Sequence, residues 1–284
     1  MMNVKAYAKI NLGLHIVGKR SDGFHNIETV FHRINLFDEI AVRENDTIAV
    51  TVHNSDIPTN NDNLCWKAVD LLRQTFHTTR GAEIQITKNI PVGAGLGGGS
   101  SDAAVILQTV PALWGMQLDT QTANELALTI GSDVPFFLGR QSAYAEGRGE
   151  KLSFIHLDLP YWIVLVNPGI HVSTPWAYKA LSEKRNGSFP ERTTLGKKFS
   201  LSSIQCIATA ENDFEEIVFE AYPEIGAIKK KLLVHHAVHA LMSGSGSSVF
   251  GLFEKEADAK KAMAAFDTKY FIHLTEPNFT IDMV

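Results

Sequence analysis

Cysteine is almost missing from this chain: two of 284 residues, Cys65 and Cys206. Two cannot build a disulfide framework or a thiolate metal site, and both read as reduced core residues. Long apolar runs are missing as well. A stretch such as Tyr161 to Val166 falls far short of the roughly 20 residues a membrane span needs. Lys5 and Lys9 interrupt the N-terminal apolar pattern, so no secretory leader is expected. There is no dense basic stripe either. With a net charge of −5 and only the short run Lys229-Lys230-Lys231, nucleic acid and anionic membranes are not expected partners, and a cytoplasmic location is. No Gly-Lys-Ser/Thr follows any glycine-rich stretch, which removes the Walker A reading. No sustained heptad or exposed apolar stripe marks a subunit interface.

What is present begins with 45% apolar residues, enough for one large core or two ordinary ones. The most informative stretch is Pro91-Val92-Gly93-Ala94-Gly95-Leu96-Gly97-Gly98-Gly99-Ser100-Ser101-Asp102-Ala103-Ala104. Glycines let the backbone take positive φ and approach a ligand closely. Ser100 or Ser101 is expected to cap the helix that follows, whose N–H groups and dipole favour an anion, most often phosphate. Gly93-x-Gly95-x-x-Gly98 also matches the dinucleotide fingerprint. Its context does not: Lys88-Asn89-Ile90-Pro91 separates it from the strand-like Ala82 to Ile86, whereas a dinucleotide loop leaves its strand directly. Asp119, at a plausible offset for a ribose-binding acid, reads as a helix cap.

Before the loop, residues 4 to 16 alternate, with Val4, Ala6, Ala8, Ile10, Leu12, Leu14 and Ile16 on one face of a strand. Lys9 and Asn11 then share the other face, about 7 Å apart, either as a ligand-binding pair or as ordinary solvated residues. Ser21-Asp22-Gly23 is a turn delivering Phe24 and His25. Strands are expected at 26–36, 38–43 and 46–53, a helix from Asn63, and a helix after the loop that Pro111 kinks or ends. A further helix starts near Asp119, with Thr122 to Glu125 as a capping box and Gly131 as its C-terminal glycine. Asp133, between that helix and Val134-Pro135-Phe136-Phe137, is expected near the interior with a partner. Composition shifts near residue 150, which suggests domains at 1–151 and 152–284. The second half contains a buried strand, Thr174-Pro175 opening a helix, an excursion at 186–202, and Ser243-Gly244-Ser245-Gly246-Ser247 leading into a strand. It reads as helices on an antiparallel sheet, giving an α+β protein.

Ala8-Lys9-Ile10-Asn11-Leu12, the glycine loop and the late Ser-Gly-Ser-Gly-Ser stretch, in that order, resemble the GHMP small-molecule kinases. Asp22-Gly23-Phe24-His25 and Ser132-Asp133-Val134-Pro135 narrow the resemblance to the branch acting on CDP-linked methylerythritol. The resemblance implies a two-domain fold, with a mixed N-terminal sheet and an antiparallel C-terminal sheet, each carrying helices. It implies transfer of the ATP γ-phosphoryl group to the 2-hydroxyl of that substrate, in the non-mevalonate isoprenoid route, with Mg²⁺ accompanying the nucleotide. Asp133 would be the base and Lys9 its cationic neighbour. The loop from Pro91 to Ser101 would bind ATP phosphates, with Asn63, Leu64 and Lys88 beside the adenosine. Asn11, Phe24, His25, Thr174 and Tyr178 would surround the substrate, His25 bonding the cytosine edge while Phe24 and Tyr178 stack on its faces. Phe24 stands where the family usually has tyrosine, so stacking survives and a hydroxyl contact is lost. Ser100 or Ser101 would contact Mg²⁺. The rival readings are a GHMP kinase for another alcohol, a non-catalytic GHMP-fold binding protein and, more distantly, a dehydrogenase.

Overall fold

A computed structural model describes residues 1–189, 207 and 209–281. Its spine is a long antiparallel hairpin, β1 (Met2–Lys19) with β2 (His25–Asn45). The turn between them is closed by Asp22, whose Oδ1 accepts the Phe24 N–H at 3.1 Å. On β2 hang β4 (Gly81–Thr87) on one side and β5 (Ser142–Gly147) then β6 (Lys151–Ile155) on the other; β3 (Ala49–His53) pairs with β4. Only the β3–β4 ladder of this six-stranded sheet is parallel.

The strands expected at 26–36 and 38–43 are one continuous β2. Asp38, a poor strand residue, is tolerated because it is completely buried against partners: its Oδ1 accepts the N–H groups of Asn89 and Ile90 at 2.6 and 2.8 Å. The strict alternation of β1 is also broken. Register shifts after Tyr7 and Asn11 turn Ala6 toward the helical layer but Ala8, Ile10 and Leu12 toward the second half of the molecule. Both faces of β1 are buried from Ala6 to Ile16, so its polar face is not solvated.

Helices α1 (Leu64–Phe76), α2 (Gly98–Leu113) and α3 (Thr120–Ile130) cover one side of this sheet, sealing Leu72, Ile84, Ile106 and Val110 into one core. Asn63 caps α1, its Oδ1 accepting from Cys65 N at 2.8 Å, and Cys65 is buried and free. Asp119 caps α3 by accepting from Thr122 N at 2.9 Å, replacing the expected Thr122–Glu125 box. Gly131 follows α3 with φ 177°, extended rather than left-handed. Pro111 lies inside α2, which ends two residues later.

The second sheet runs β10 (Phe271–Thr275), β7 (Trp162–Asn167), β9 (Val249–Phe253), β8 (His239–Met242), antiparallel throughout. Helices α4 (Thr174–Lys184), α5 (Glu215–Ala221), α6 (Pro223–Val234) and α7 (Glu256–Ala264) pack on it around Val166, Phe214 and Leu232. The α4 cap is Ser173, not Thr174: its Oγ accepts from Trp176 N. A third core joins the halves, with Ile10, Leu12 and Ile34 from the hairpin meeting Leu165, Leu241 and Phe250. Because β6 pairs with β5, the first sheet runs past residue 151. We propose the domain division in the link between Ile155 and Trp162. Cys206 and most of the 186–202 excursion lie outside the described residues. Among those described, no helix is long and apolar enough to cross a membrane.

Candidate active site

The glycine loop leaves β4 and becomes α2 at Gly98, with Gly97 in the cap position at φ 71°. Neither serine caps the helix, which instead carries no side-chain cap. A left-handed glycine there leaves the first-turn N–H groups uncovered, and a helix start without a capping oxygen favours an external anion. Gly95 is required for closeness: a Cβ would lie 2.1 Å from the Ser243 carbonyl oxygen. The loop therefore rests directly on the late Gly/Ser stretch, and Ser243 Oγ donates to Gly95 O at 2.9 Å.

A cavity of about 360 Å³ lies between the loop and the segment entering α1. Asn63, Leu64 and Lys88 line it with Pro91, Val92, Gly93, Ala94, Gly95, Gly97, Gly98, Gly99 and Ser100. Two expected members do not. Leu96 is buried in the core between the sheets, its carbonyl accepting from Lys9 N at 2.9 Å. Ser101 is on the opposite side of α2, in a separate cavity with Arg33 and Phe137, because successive helical residues point about 100° apart. Lys88 lies under the loop with its ammonium held by Asp38 and Asp102. Asp38 also holds the backbone before the loop, and Asp102 belongs to α2, so the cluster ties the two ends of the loop together. Burial raises Asp102 to about 7, against the opposing pull of Lys88, and Asp102 Oδ1 has no partner.

At the far side of the loop Lys9 Nζ donates to Asn11 Oδ1 at 2.6 Å and to Gly95 O at 3.1 Å, and stands 3.8 Å from Asp133 Oδ2. Asn11 is itself oriented: its Nδ2 donates to Thr29 Oγ1 at 2.8 Å, and Thr29 donates to Gly13 O at 2.6 Å. Burial pulls the Lys9 ammonium below the ordinary lysine range, partly opposed by Asp133. Asp133 opens the short 3₁₀ turn Val134–Leu138, and its side chain is about one-third exposed, 35%. It is thus at a cleft edge and not in the interior.

Across the cleft His25 stacks on Tyr178 with centroids 4.9 Å apart and planes at 18°, and its Nε2 is 2.8 Å from Ser182 Oγ. Burial raises the Tyr178 phenol, and the Asp133 charge adds to this, which sets α4 beside the carboxylate. Thr174 Oγ1 is 2.8 Å from Ser245 Oγ, joining α4 to the Gly/Ser stretch. Phe24 is apart: it is exposed, under the Arg148 guanidinium at 4.9 Å. No ring contact joins Phe24 to Tyr178 among the described residues; the ring stacked on Tyr178 is His25.

Residues 63–140 match the family described as GHMP kinases N terminal domain, and residues 195–273 the one described as GHMP kinases C terminal. Proteins named 4-diphosphocytidyl-2-C-methyl-D-erythritol kinase from two strains of Chlorobium phaeobacteroides are similar along the whole chain. That of strain DSM 266 is 41% identical over 99% of this chain and 97% of its own length. That of strain BS1 is 43% identical over 99% of both. The chain belongs to the 4-diphosphocytidyl-2-C-methyl-D-erythritol kinase family. A crystal structure of a 4-(cytidine 5'-diphospho)-2C-methyl-D-erythritol kinase superposes with TM-score 0.80 at 32% identity, covering 97% of this chain and 99% of that one.

The contacts around the loop of this small-molecule kinase draw in more residues than the sequence announced. Ser243 and Thr29 complete the Lys9–Asn11 network, and Asp38 and Asp102 hold Lys88. Ser243 belongs to a visible Gly/Ser stretch, but nothing in its spacing says that it touches β1. Asp102 directly follows the two serines; Asp38 and Thr29 carry no local signal, because their partners come from distant strands. Among the described residues no group of three or more His, Cys, Asp or Glu is placed to hold a metal ion.

Proposed function

We propose that this kinase transfers the γ-phosphoryl group of ATP to the 2-hydroxyl of 4-diphosphocytidyl-2-C-methyl-D-erythritol, in the non-mevalonate route to isoprenoid precursors. The observation that carries the chemistry is the Lys9–Asp133 pair, 3.8 Å apart, standing between the open helix start of α2 and the His25–Tyr178 wall. Phosphoryl transfer requires mostly positioning and neutralisation of charge on the moving group. The substrate hydroxyl gives its proton to Asp133 as its oxygen attacks the γ-phosphorus, and ADP departs. Lys9, oriented by Asn11 and Gly95, stabilises negative charge on the attacking oxygen and the transferred group.

The adenosine fits the cavity bounded by Asn63, Leu64 and Lys88, and the loop N–H groups meet the phosphates. The residues also suit Mg²⁺, which keeps waters and phosphate oxygens as ligands and needs few from the protein. Ser100 lines the nucleotide cavity and Asp102 Oδ1 is unpartnered in its floor, whereas Ser101 is directed away. Ser100 would hold the ion, which neutralises phosphate charge when bound. On the substrate side, the cytosine edge would replace Ser182 as partner of His25, with Tyr178 beneath. Thr174 and Asn11 complete the surroundings, and Phe24 covers the entrance. A small nucleotide-linked substrate and the free Cys65 thiol accord with a cytoplasmic enzyme.

A coupled ADP-release assay over a panel of alcohols tests the reading. The CDP-linked methylerythritol should be turned over with a kcat/KM at least a hundredfold above sugars, homoserine or mevalonate. Preferential turnover of one of the others would overturn the substrate assignment.

A further inference from the structure

Among the described residues three lysine or arginine side chains are buried: Lys9, Arg33 and Lys88. Lys9 has Asp133, and Lys88 has Asp38 and Asp102. Arg33, only 7% exposed, has no carboxylate partner among the described residues. Its Nη2 donates to the carbonyl oxygens of Phe136 and Gly139 at 3.2 and 3.1 Å, and its guanidinium lies 5.4 and 5.5 Å from the Phe136 and Phe137 ring centroids. Its Nε is buried without any partner. Carbonyls and rings offset part of the burial, a cation–π contact contributing about 0.5–2 kcal/mol. Burying an ion costs several kcal/mol, so the charge is left undercompensated.

Arg33 lines a cavity of about 150 Å³. Lys5 contributes to its lining, its ammonium 4.4 Å from the Phe37 ring centroid, as do Tyr7, Ser101, Phe137 and Ile281; among the described residues no Asp or Glu lines it. In a chain of net charge −5, a cavity lined by two cations and, among the described residues, no acid is a local inversion of sign, although Lys5 also has Glu39 opposite it on β2. The space exceeds by about tenfold what one water requires. Water could satisfy Nε, but it would not neutralise the guanidinium. The cavity shares no lining residue with the nucleotide cavity. Consecutive residues of α2, Ser100 and Ser101, line the one and the other, and the ring of Phe137 packs under Gly97 of the phosphate loop.

We propose that this cavity is a second anion site, binding a small oxyanion, phosphate or carboxylate, between Arg33 and Lys5. The ligand supplies the countercharge that Arg33 lacks among the described residues, and Ser101 adds a hydroxyl. Through Arg33 and Phe137 it would brace the 3₁₀ turn that begins at Asp133.

The test is thermal denaturation of the full chain saturated with AMP-PNP, so that the nucleotide site is filled. Sodium phosphate and sodium acetate are titrated separately, with sodium chloride keeping ionic strength constant. At least one of the two should raise Tm saturably, and the one that does identifies phosphate or carboxylate as the ligand class. Lys5→Met, at an exposed position that should fold normally, should weaken that response at least tenfold in apparent Kd. Arg33→Met should remove it. No saturable response to either anion would overturn the proposal, as would a Lys5→Met protein responding like wild type.

Discussion

Asp133 faces Lys9 across 3.8 Å, beyond hydrogen-bonding distance, while the two short bonds of the Lys9 ammonium go to Asn11 and Gly95. Asp133 itself accepts no hydrogen bond from a described residue. The lysine is therefore fixed by groups other than the base, and the base keeps its oxygens free for a substrate hydroxyl. Proton acceptance by a positioned side chain is worth about 10²–10⁴-fold. Asp133→Asn should lower kcat by that order while leaving AMP-PNP affinity within about twofold, measured by ADP release and by calorimetry. A variant with wild-type kcat would remove Asp133 from the base role.

Lys9→Met keeps the length of the side chain and removes its charge. Loss of one preorganised stabiliser of transition-state charge costs about 10²–10³ in kcat, and the KM for ATP should change much less. Since burial lowers the Lys9 pKa, the wild-type rate should fall on the alkaline side at a pH below the ordinary lysine value. A larger effect on nucleotide KM than on kcat would place Lys9 in binding instead of chemistry.

The parts legible in the sequence were those in which neighbours along the chain act together. The glycine run, the helix start at Asn63 and the Asp22 turn are of this kind, as are the α+β class and the two types of sheet. Lys9 and Asn11, two residues apart on β1, were placed side by side, but their pattern left open whether they bind a ligand or meet solvent, and the register shifts after Tyr7 and Asn11 had no visible signal. What remained hidden depends on contacts across the fold. Asp38 sustains a continuous β2 only because Lys88, Asn89 and Ile90 return to it. Ser101 and Ser100 look equivalent as letters, and only the rotation of α2 separates the nucleotide cavity from the Arg33 cavity. The stack of His25 on Tyr178 had no signal either, because it depends on where α4 docks.

His25 tests the substrate side. Its Nε2 has a hydrogen-bonding partner in Ser182, and burial together with Lys19 lowers its pKa, so at neutral pH it meets a base edge as a neutral ring. An unpaired polar group at a recognition edge costs about 1–3 kcal/mol. His25→Ala should accordingly raise KM for the CDP-linked substrate roughly 5- to 150-fold, with KM for ATP unchanged. Equal KM values in variant and wild type would direct the search for the cytosine contact elsewhere.

Gly95 and Gly93 separate two reasons for glycine in the loop. Both have positive φ, 77° and 64°, a strain of about 1–2 kcal/mol for a residue with a Cβ. At Gly93 the added carbon meets the His171 ring at 3.0 Å, and at Gly95 it meets the Ser243 backbone oxygen at 2.1 Å. A side chain can rotate away, but that backbone cannot without parting the loop from the Gly/Ser stretch. Gly95→Ala should cost roughly 2–5 kcal/mol by adding overpacking to strain, and should raise KM for ATP. Gly93→Ala should stay near the strain value alone. Equal losses of stability in urea denaturation would mean that φ, not close approach, fixes Gly95.

His32 sets an acid limit on stability. It is fully enclosed in the first sheet, with Nδ1 2.8 Å from Ser142 Oγ, and burial lowers its pKa to about 4. The unfolded chain takes up a proton near 6.5 that the folded chain refuses until about pH 4, so folding is favoured above 6.5 and loses free energy as pH falls between those values. At about 1.4 kcal/mol per pH unit the full loss is roughly 3 kcal/mol. His239, lowered to about 4 by its own burial, contributes in the same direction. Thermal unfolding should therefore show Tm falling from pH 7 to pH 5, and His32→Asn should flatten that slope without erasing it. Parallel slopes in the two proteins would show that His32 is already protonated in the fold or shielded in the unfolded chain.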